Sequence, residues 1–143
     1  MPPDANISGP SLLDLVGNTP LVELTHLSPK PGVHIFAKLE GGNPSGSVKD
    51  RIVLAMVDAA EAEGTLRTGD TIVEASTGNT AIALAFVAKQ KGYRVRVVLP
   101  KGVVPSMADV LHLYGAEFEW VEPSGGMRGA IDAAKKMANK DGI

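Results

Sequence analysis

Segments that read as strands alternate with segments that read as helices four times along this chain, and no other feature limits its fold so tightly. The strand-like segments are Val33–Leu39, Thr71–Ala75, Arg94–Leu99 and Glu117–Val121. The helical ones are Val48–Glu63, Asn79–Lys91, Ser106–Tyr114 and Met127–Lys140, each ended by or close to a glycine. Parallel strands need crossover connections and helices are the usual ones, so the alternation predicts an α/β fold: a parallel four-stranded open sheet flanked by helices. The run Val95-Arg96-Val97-Val98-Leu99 suits a strand covered on both faces.

Before this rhythm the pattern is shorter. Residues 1–10 hold three prolines and no period, which predicts a flexible arm. A helical piece at Leu12–Val16 ends at Gly17, a short strand is expected over Leu21–Leu24, and Pro29-Lys30-Pro31-Gly32 breaks the chain. The expected organisation is an arm (1–10), a segment leading into the sheet (11–40) and an α/β domain (41–143). In the helix from Val48, the residues Val48, Ile52, Ala55, Met56, Ala59 and Ala60 recur at helical spacing and predict an apolar stripe facing the sheet. Ser47 and Asp50 match a capping box at its start.

Charge and composition remove several kinds of function. Fourteen basic and sixteen acidic residues give a net charge of -2, which offers no electrostatic footprint for nucleic acid or an anionic membrane surface. Without cysteine there is no disulfide, thiol nucleophile or zinc knuckle, and His26, His34 and His112 are too scattered to set a metal site. The longest mainly apolar stretch, Thr80–Ala88, is far short of a membrane span, and the start lacks the basic and apolar segments of a signal peptide. A cytoplasmic protein is expected.

Two loops carry the chemistry. Gly41-Gly42-Asn43-Pro44-Ser45-Gly46-Ser47-Val48-Lys49-Asp50-Arg51 leaves a strand and enters a helix, but Gly46 is followed by Ser47 rather than by the lysine of a Walker-type phosphate loop. From spacing alone the favoured reading is a tight strand-to-helix turn with a solvated lysine. Ser76-Thr77-Gly78-Asn79-Thr80 lies where a strand ends and a helix begins. Free N–H groups, three hydroxyls and an amide gather there, suited to an anion at the carboxyl end of a parallel strand. The plainer alternative is a helix cap and a turn.

Taken together, Asn43-Pro44-Ser45-Gly46-Ser47-Val48-Lys49-Asp50-Arg51 and Ser76-Thr77-Gly78-Asn79-Thr80 resemble the cysteine synthase (O-acetylserine sulfhydrylase) and cystathionine β-synthase family of pyridoxal-phosphate enzymes, fold type II and tryptophan synthase β-like. Val16-Gly17-Asn18-Thr19-Pro20-Leu21 and Leu113-Tyr114-Gly115-Ala116-Glu117 extend the resemblance over the chain from Ser11 onward. It implies that Lys49 bonds the pyridoxal phosphate covalently and later removes the substrate α-proton. It implies that Asn79 binds the cofactor's ring hydroxyl and that Ser76, Thr77, Gly78, Asn79 and Thr80 grip the carboxylate of a small amino-acid substrate. The implied reaction replaces the acetate of O-acetylserine by sulfide, giving cysteine; cystathionine formation and serine or threonine deamination are the related alternatives.

The carboxylate loop departs from the commoner Thr-Ser-Gly-Asn-Thr-Gly, with Ser76 and Thr77 in swapped order and Ala81 in place of the last glycine. Methyl groups at Thr77 and Ala81 are expected to narrow the room for a substrate. The resemblance also implies a larger domain, with a loop for the cofactor phosphate and a serine facing the pyridine nitrogen, that this sequence lacks. On that basis the chain is expected to be a truncated, weakly active or inactive piece of a usually homodimeric enzyme, with the missing half in another chain or lost. A non-catalytic interaction module is the alternative from a different class.

Overall fold

A computed structural model of the chain describes residues 9–102 and 105–141. The arm expected over residues 1–10 lies outside the described residues except for Gly9 and Pro10. Ser11 caps a short 3-10 turn, Leu12–Leu15, through a capping box with Asp14. Two short strands follow, β1 (Leu21–Glu23) and β2 (Phe36–Lys38), and then α1 (Lys49–Ala62), β3 (Thr71–Glu74), α2 (Asn79–Lys91), β4 (Arg94–Pro100), α3 (Pro105–Leu113), β5 (Glu117–Val121) and α4 (Gly126–Asp141).

The parallel sheet among the described residues has three strands in the order β3-β4-β5, with Ile72 opposite Val95 and Val97 opposite Phe118. The α/β class with a parallel sheet flanked by helices is as expected, but the fourth expected strand is not in it. Of Val33–Leu39 only Phe36–Lys38 is strand, β2, and it pairs antiparallel with β1, Val22 opposite Ala37. An alternating pattern marks a strand without specifying its partner. Here the bend at Thr25–Leu27 and the turn at Pro29–Gly32 fold β2 back on β1.

Helices α2 and α3 join successive neighbours in one direction across the sheet, so right-handed crossovers place both on the same face. There Val95, Val97 and Leu99 of β4 meet Leu84, Phe86, Val87 and Ala88 of α2 and Leu111 of α3 in one buried cluster. In the other row of β4 Val98 is also fully buried, and α4, with its buried Ala130, packs on β4. Four alanines buried along α2, Ala81, Ala83, Ala85 and Ala88, allow close neighbours around most of that helix. Phe86 meets Tyr114 edge to face at 5.9 Å. Gly92, at φ +80°, ends α2 in the left-handed conformation that glycine adopts without strain.

Helix α1 turns a different side to the protein from the one its stripe predicts. Its buried positions are Asp50, Val53 and Val57, and it packs against α2. Val48, Ile52 and Met56 are exposed, Met56 by 66%. The helix has two apolar stripes on nearly opposite sides, and periodicity does not say which one is covered. At its far end Lys91 of α2 bridges Asp58 (2.8 Å) and Glu61 (2.7 Å), and the Tyr93 hydroxyl donates to Glu61 (2.7 Å). These bonds hold the Glu61 carboxyl below its usual range, Lys91 first and Tyr93 second.

Candidate active site

The loop that follows β2 is shaped by its own backbone before any side chain acts. A 3-10 turn at Glu40–Gly42 leads into a tight turn closed by the Gly46 N–H on the Asn43 carbonyl (2.8 Å), and Gly46 adopts φ +90°. A side chain at that φ is strained, so glycine is required there. The chain then enters α1 at Lys49.

Two carboxylates fasten this loop to the first turn of α1. Asp50 is fully buried and accepts the Ser45 N–H at 2.7 Å and the Ser45 hydroxyl. The capping box expected of Ser47 and Asp50 is therefore only half formed: Ser47 Oγ accepts the Lys49 N–H (3.2 Å), while Asp50 reaches back to Ser45. The tight turn at Gly46 brings Ser45 within reach of Asp50.

Glu40 is the second carboxylate. It accepts from Arg51 Nε (2.7 Å) and the terminal guanidinium nitrogen (3.0 Å), from the Thr19 hydroxyl (2.6 Å) and from the Asn43 side-chain amide (3.0 Å). Arg51 also donates to Thr19 Oγ1 (3.2 Å), and the buried Asn43 accepts the Gly17 N–H (2.8 Å). Lys38 Nζ donates to the Thr19 carbonyl. Arg51 and then Thr19 hold the Glu40 carboxyl far below its ordinary value, at about 2.

A group whose folded pKa is depressed contributes stability that is present above its unfolded value and lost as pH falls through the folded one. Glu40 therefore stabilises the fold above about pH 4.5 and stops doing so as the pH drops towards about 2. Urea midpoints measured from pH 6 to pH 2 at constant ionic strength should fall more steeply in the native chain than in Glu40→Gln. Equal slopes would show that Glu40 carries no such linkage.

Lys49 is half-buried, and among the described residues its ammonium makes no hydrogen bond or ion pair. The residues Ser76, Thr77, Gly78, Asn79 and Thr80 lie together at the carboxyl end of β3, forming a loop and the first turn of α2. Gly78 is the extended residue before that helix, and no side chain caps it. The Ser76 hydroxyl accepts the Gly78 N–H (3.4 Å) within the loop instead. A side-chain helix cap is thus not what these residues form; the Ala81 N–H donates to the Gly78 carbonyl (3.1 Å), and the N–H groups of Asn79 and Thr80 have no acceptor within the helix.

Thr77 and Asn79 are exposed, and Ser76, Gly78 and Thr80 are half-buried. Ala81 is fully buried in the core cluster, so its methyl packs inward and the narrowing expected of it is not found. An apolar groove of about 380 Å³ runs between α1 and β3, with Met56, Val57, Ile72 and Leu84 in its walls. Thr80 and Glu74 border it, but Lys49 does not. Burial raises the Glu74 carboxyl above its ordinary value.

The model of the pyridoxal-phosphate dependent enzymes matches residues 12–143. The chain belongs to that family. It is 45% identical to cysteine synthase B of Escherichia coli (strain K12) over 130 residues, which is 91% of this chain and 43% of that protein. Among solved structures, an O-ureido-L-serine synthase matches with a TM-score of 0.89 and 39% identity over 94% of this chain and 42% of its own. A cysteine synthase from Entamoeba histolytica matches with a TM-score of 0.86 and 37% identity over 94% of this chain and 43% of its own. The chain thus spans less than half the length of the relatives it matches.

Pyridoxal phosphate needs an amine to bond its carbonyl carbon and donors for its anionic oxygens. Lys49 offers an unengaged, half-buried amine. The uncapped start of α2 offers N–H groups, three hydroxyls and the Asn79 amide. The amine fits the cofactor's carbonyl carbon, and the donors at the start of α2 fit a ring oxygen or a carboxylate.

Sequence reasoning assigned no role to Thr19, Glu40, Asn43 or Arg51. Their partners are 11 to 32 residues away, apart from the local Asn43–Glu40 pair, and no spacing rule connects them. The remaining signal was the run Glu40 to Arg51, an acid and a base at the two ends of one loop. Gly17 is bound into the same network: at φ +92° an added Cβ would lie 2.9 Å from an Arg51 guanidinium nitrogen. Gly17→Ala should cost about 1–2 kcal/mol from the backbone alone. Chemical denaturation would measure it, and a loss below a few tenths would show that the loop relaxes freely.

Proposed function

We propose that this chain carries the lysine-bearing part of a pyridoxal-phosphate enzyme that makes cysteine and acetate from O-acetylserine and sulfide. The observation that carries this reading is the unengaged Lys49 amine on a first turn fastened by Asp50 and Glu40. In this reading residues 41–143 form the smaller domain, residues 11–40 lead into it, and the larger domain of a longer protein completes the site. The location is cytoplasmic; among the described residues no helix is long and apolar enough to cross a membrane.

The roles proposed for the residues are those the family resemblance implies, and their chemistry suits them. Lys49 would hold the cofactor through its amine, and its Nζ would take the substrate α-proton. Asn79 donates its amide to the cofactor's ring hydroxyl. Ser76, Thr77, Gly78, Asn79 and Thr80 hold the substrate carboxylate with hydroxyls and N–H groups at the positive end of α2. Pyridoxal phosphate, when bound, supplies the electron sink that makes the α-proton removable.

A second reading has one specific support, the likeness to an O-ureido-L-serine synthase. It keeps the lysine and the carboxylate loop and changes the incoming nucleophile or the leaving group.

The test is to mix the chain with pyridoxal phosphate, reduce with borohydride and locate the label by peptide mass spectrometry. Label concentrated on Lys49 supports the proposal. Label spread evenly over the lysines shows that this chain alone does not form the cofactor site and favours the truncated piece or the interaction module. Trials of O-acetylserine, O-phosphoserine, serine and threonine, each with and without sulfide, then separate replacement from deamination.

A further inference from the structure

The first turn of α1 carries three charged residues in succession, Lys49, Asp50 and Arg51. Successive side chains on a helix point about 100° apart, so one turn sends the three in different directions. Asp50 is taken by Ser45, and Arg51 is taken by Glu40 and Thr19. Lys49 alone is left for a ligand.

Glu40 is the centre of the second attachment. Its two oxygens accept four hydrogen bonds from three chain segments: Thr19 in the Gly17–Pro20 loop, Asn43 in its own loop, and the paired nitrogens of Arg51 on α1. A carboxylate is acceptor-only, and every donor around it matches that character. A glutamine at this position presents an NH₂ to one of those donors, so the two-pronged contact with Arg51 breaks although size and shape are kept.

We infer that Glu40 is a positioning residue for Lys49: by holding Arg51 and Thr19 together it sets the rotation of the first α1 turn and so the direction in which the Lys49 amine points. The inference rests on the proposed role of Lys49. It also explains why the Gly17–Pro20 segment, distant in sequence, is fastened here: through Thr19 it braces the carboxylate that braces the helix. Asp50 secures the turn in depth, and Glu40 secures it in rotation.

The experiment uses the full chain and its Glu40→Gln and Glu40→Asp variants, with far-UV circular dichroism as the check of folding. Each is treated with pyridoxal phosphate and borohydride, and the selectivity of labelling at Lys49 over the other lysines is read by peptide mass spectrometry. Amide hydrogen exchange is followed in parallel over Val16–Pro20 and Ser45–Arg51. Glu40→Gln is expected to lower Lys49 selectivity about tenfold and to speed exchange in both segments while β4 amides stay protected. Glu40→Asp, which keeps the charge, should recover part of the selectivity. Val95→Ala, destabilised in the core, should keep it, because a general loss of stability does not turn Lys49.

A folded Glu40→Gln chain with native selectivity overturns the inference and leaves the role of Lys49 intact. Even labelling in the native chain also overturns the inference, because Lys49 then has no preferred direction in this chain. Should Glu40→Gln not fold, Thr19→Val removes one of the four bonds without the charge. It is read in the same way, with about a threefold loss expected and an unchanged ratio counting against the inference.

Discussion

Lys49→Ala should lose all site-specific fixation of pyridoxal phosphate and, in a preparation that turns over O-acetylserine and sulfide, should reduce the rate by at least about a thousandfold. Two functions disappear with one side chain, the covalent hold on the cofactor and the base for the α-proton, and the base alone contributes about 10²–10⁴. The fold should survive, because the Lys49 side chain makes no hydrogen bond or ion pair among the described residues. Lys49→Arg separates charge from chemistry: it keeps the cation and should be as inactive as alanine. Labelling by borohydride reduction, with thermal unfolding as the control, checks both. An alanine variant with native labelling elsewhere and a native rate would remove Lys49 from the site.

The second large effect is in the core. Leu99 is fully buried on β4, the middle strand of the parallel sheet, opposite Trp120 of β5. Leu99→Ala removes its methyl groups and leaves a hole in a close-packed layer, at a cost of about 3–4 kcal/mol. That is a large share of the roughly 5–15 kcal/mol by which domains are stable. Two substitutions on α1 make the comparison sharper. Val57→Ala, on the covered side, should cost about 2 kcal/mol, and Met56→Ala, 66% exposed, should stay within about 0.5 kcal/mol. Urea unfolding of the three variants measures this directly. Equal losses at Val57 and Met56 would mean that the stripe of Val48, Ile52 and Met56 is covered after all.

The elements were largely legible because their signals are local. The expected bounds of α2, Asn79–Lys91, agree with the structure, since Gly78 and Gly92 mark its two ends. Glu117–Val121 agrees as well, and the apolar run in β4 is covered on both faces as its composition implies. The loop residues Ser76 to Thr80 were likewise found together because they are neighbours in sequence. Their surroundings were less legible. Ala81, expected to narrow the room for a substrate, packs in the core, because the helix turns it inward one residue after Thr80.

By itself the sequence determined the order of the helices and strands, their bounds to within a residue except for Val33–Leu39, the α/β class, and the two loops in which chemistry-bearing residues gather. Each rests on periods and turn residues within a dozen positions. Only the tertiary structure decided that β2 pairs with β1 rather than joining the parallel sheet, and that α1 covers Val53 and Val57 and leaves Ile52 and Met56 open. It alone showed Glu40 gathering Thr19, Asn43 and Arg51. A strand's period is the same whatever strand it pairs with, and a helix with two apolar stripes can bury either. A carboxylate's partners are set by which distant segments the fold brings within about 3 Å of it.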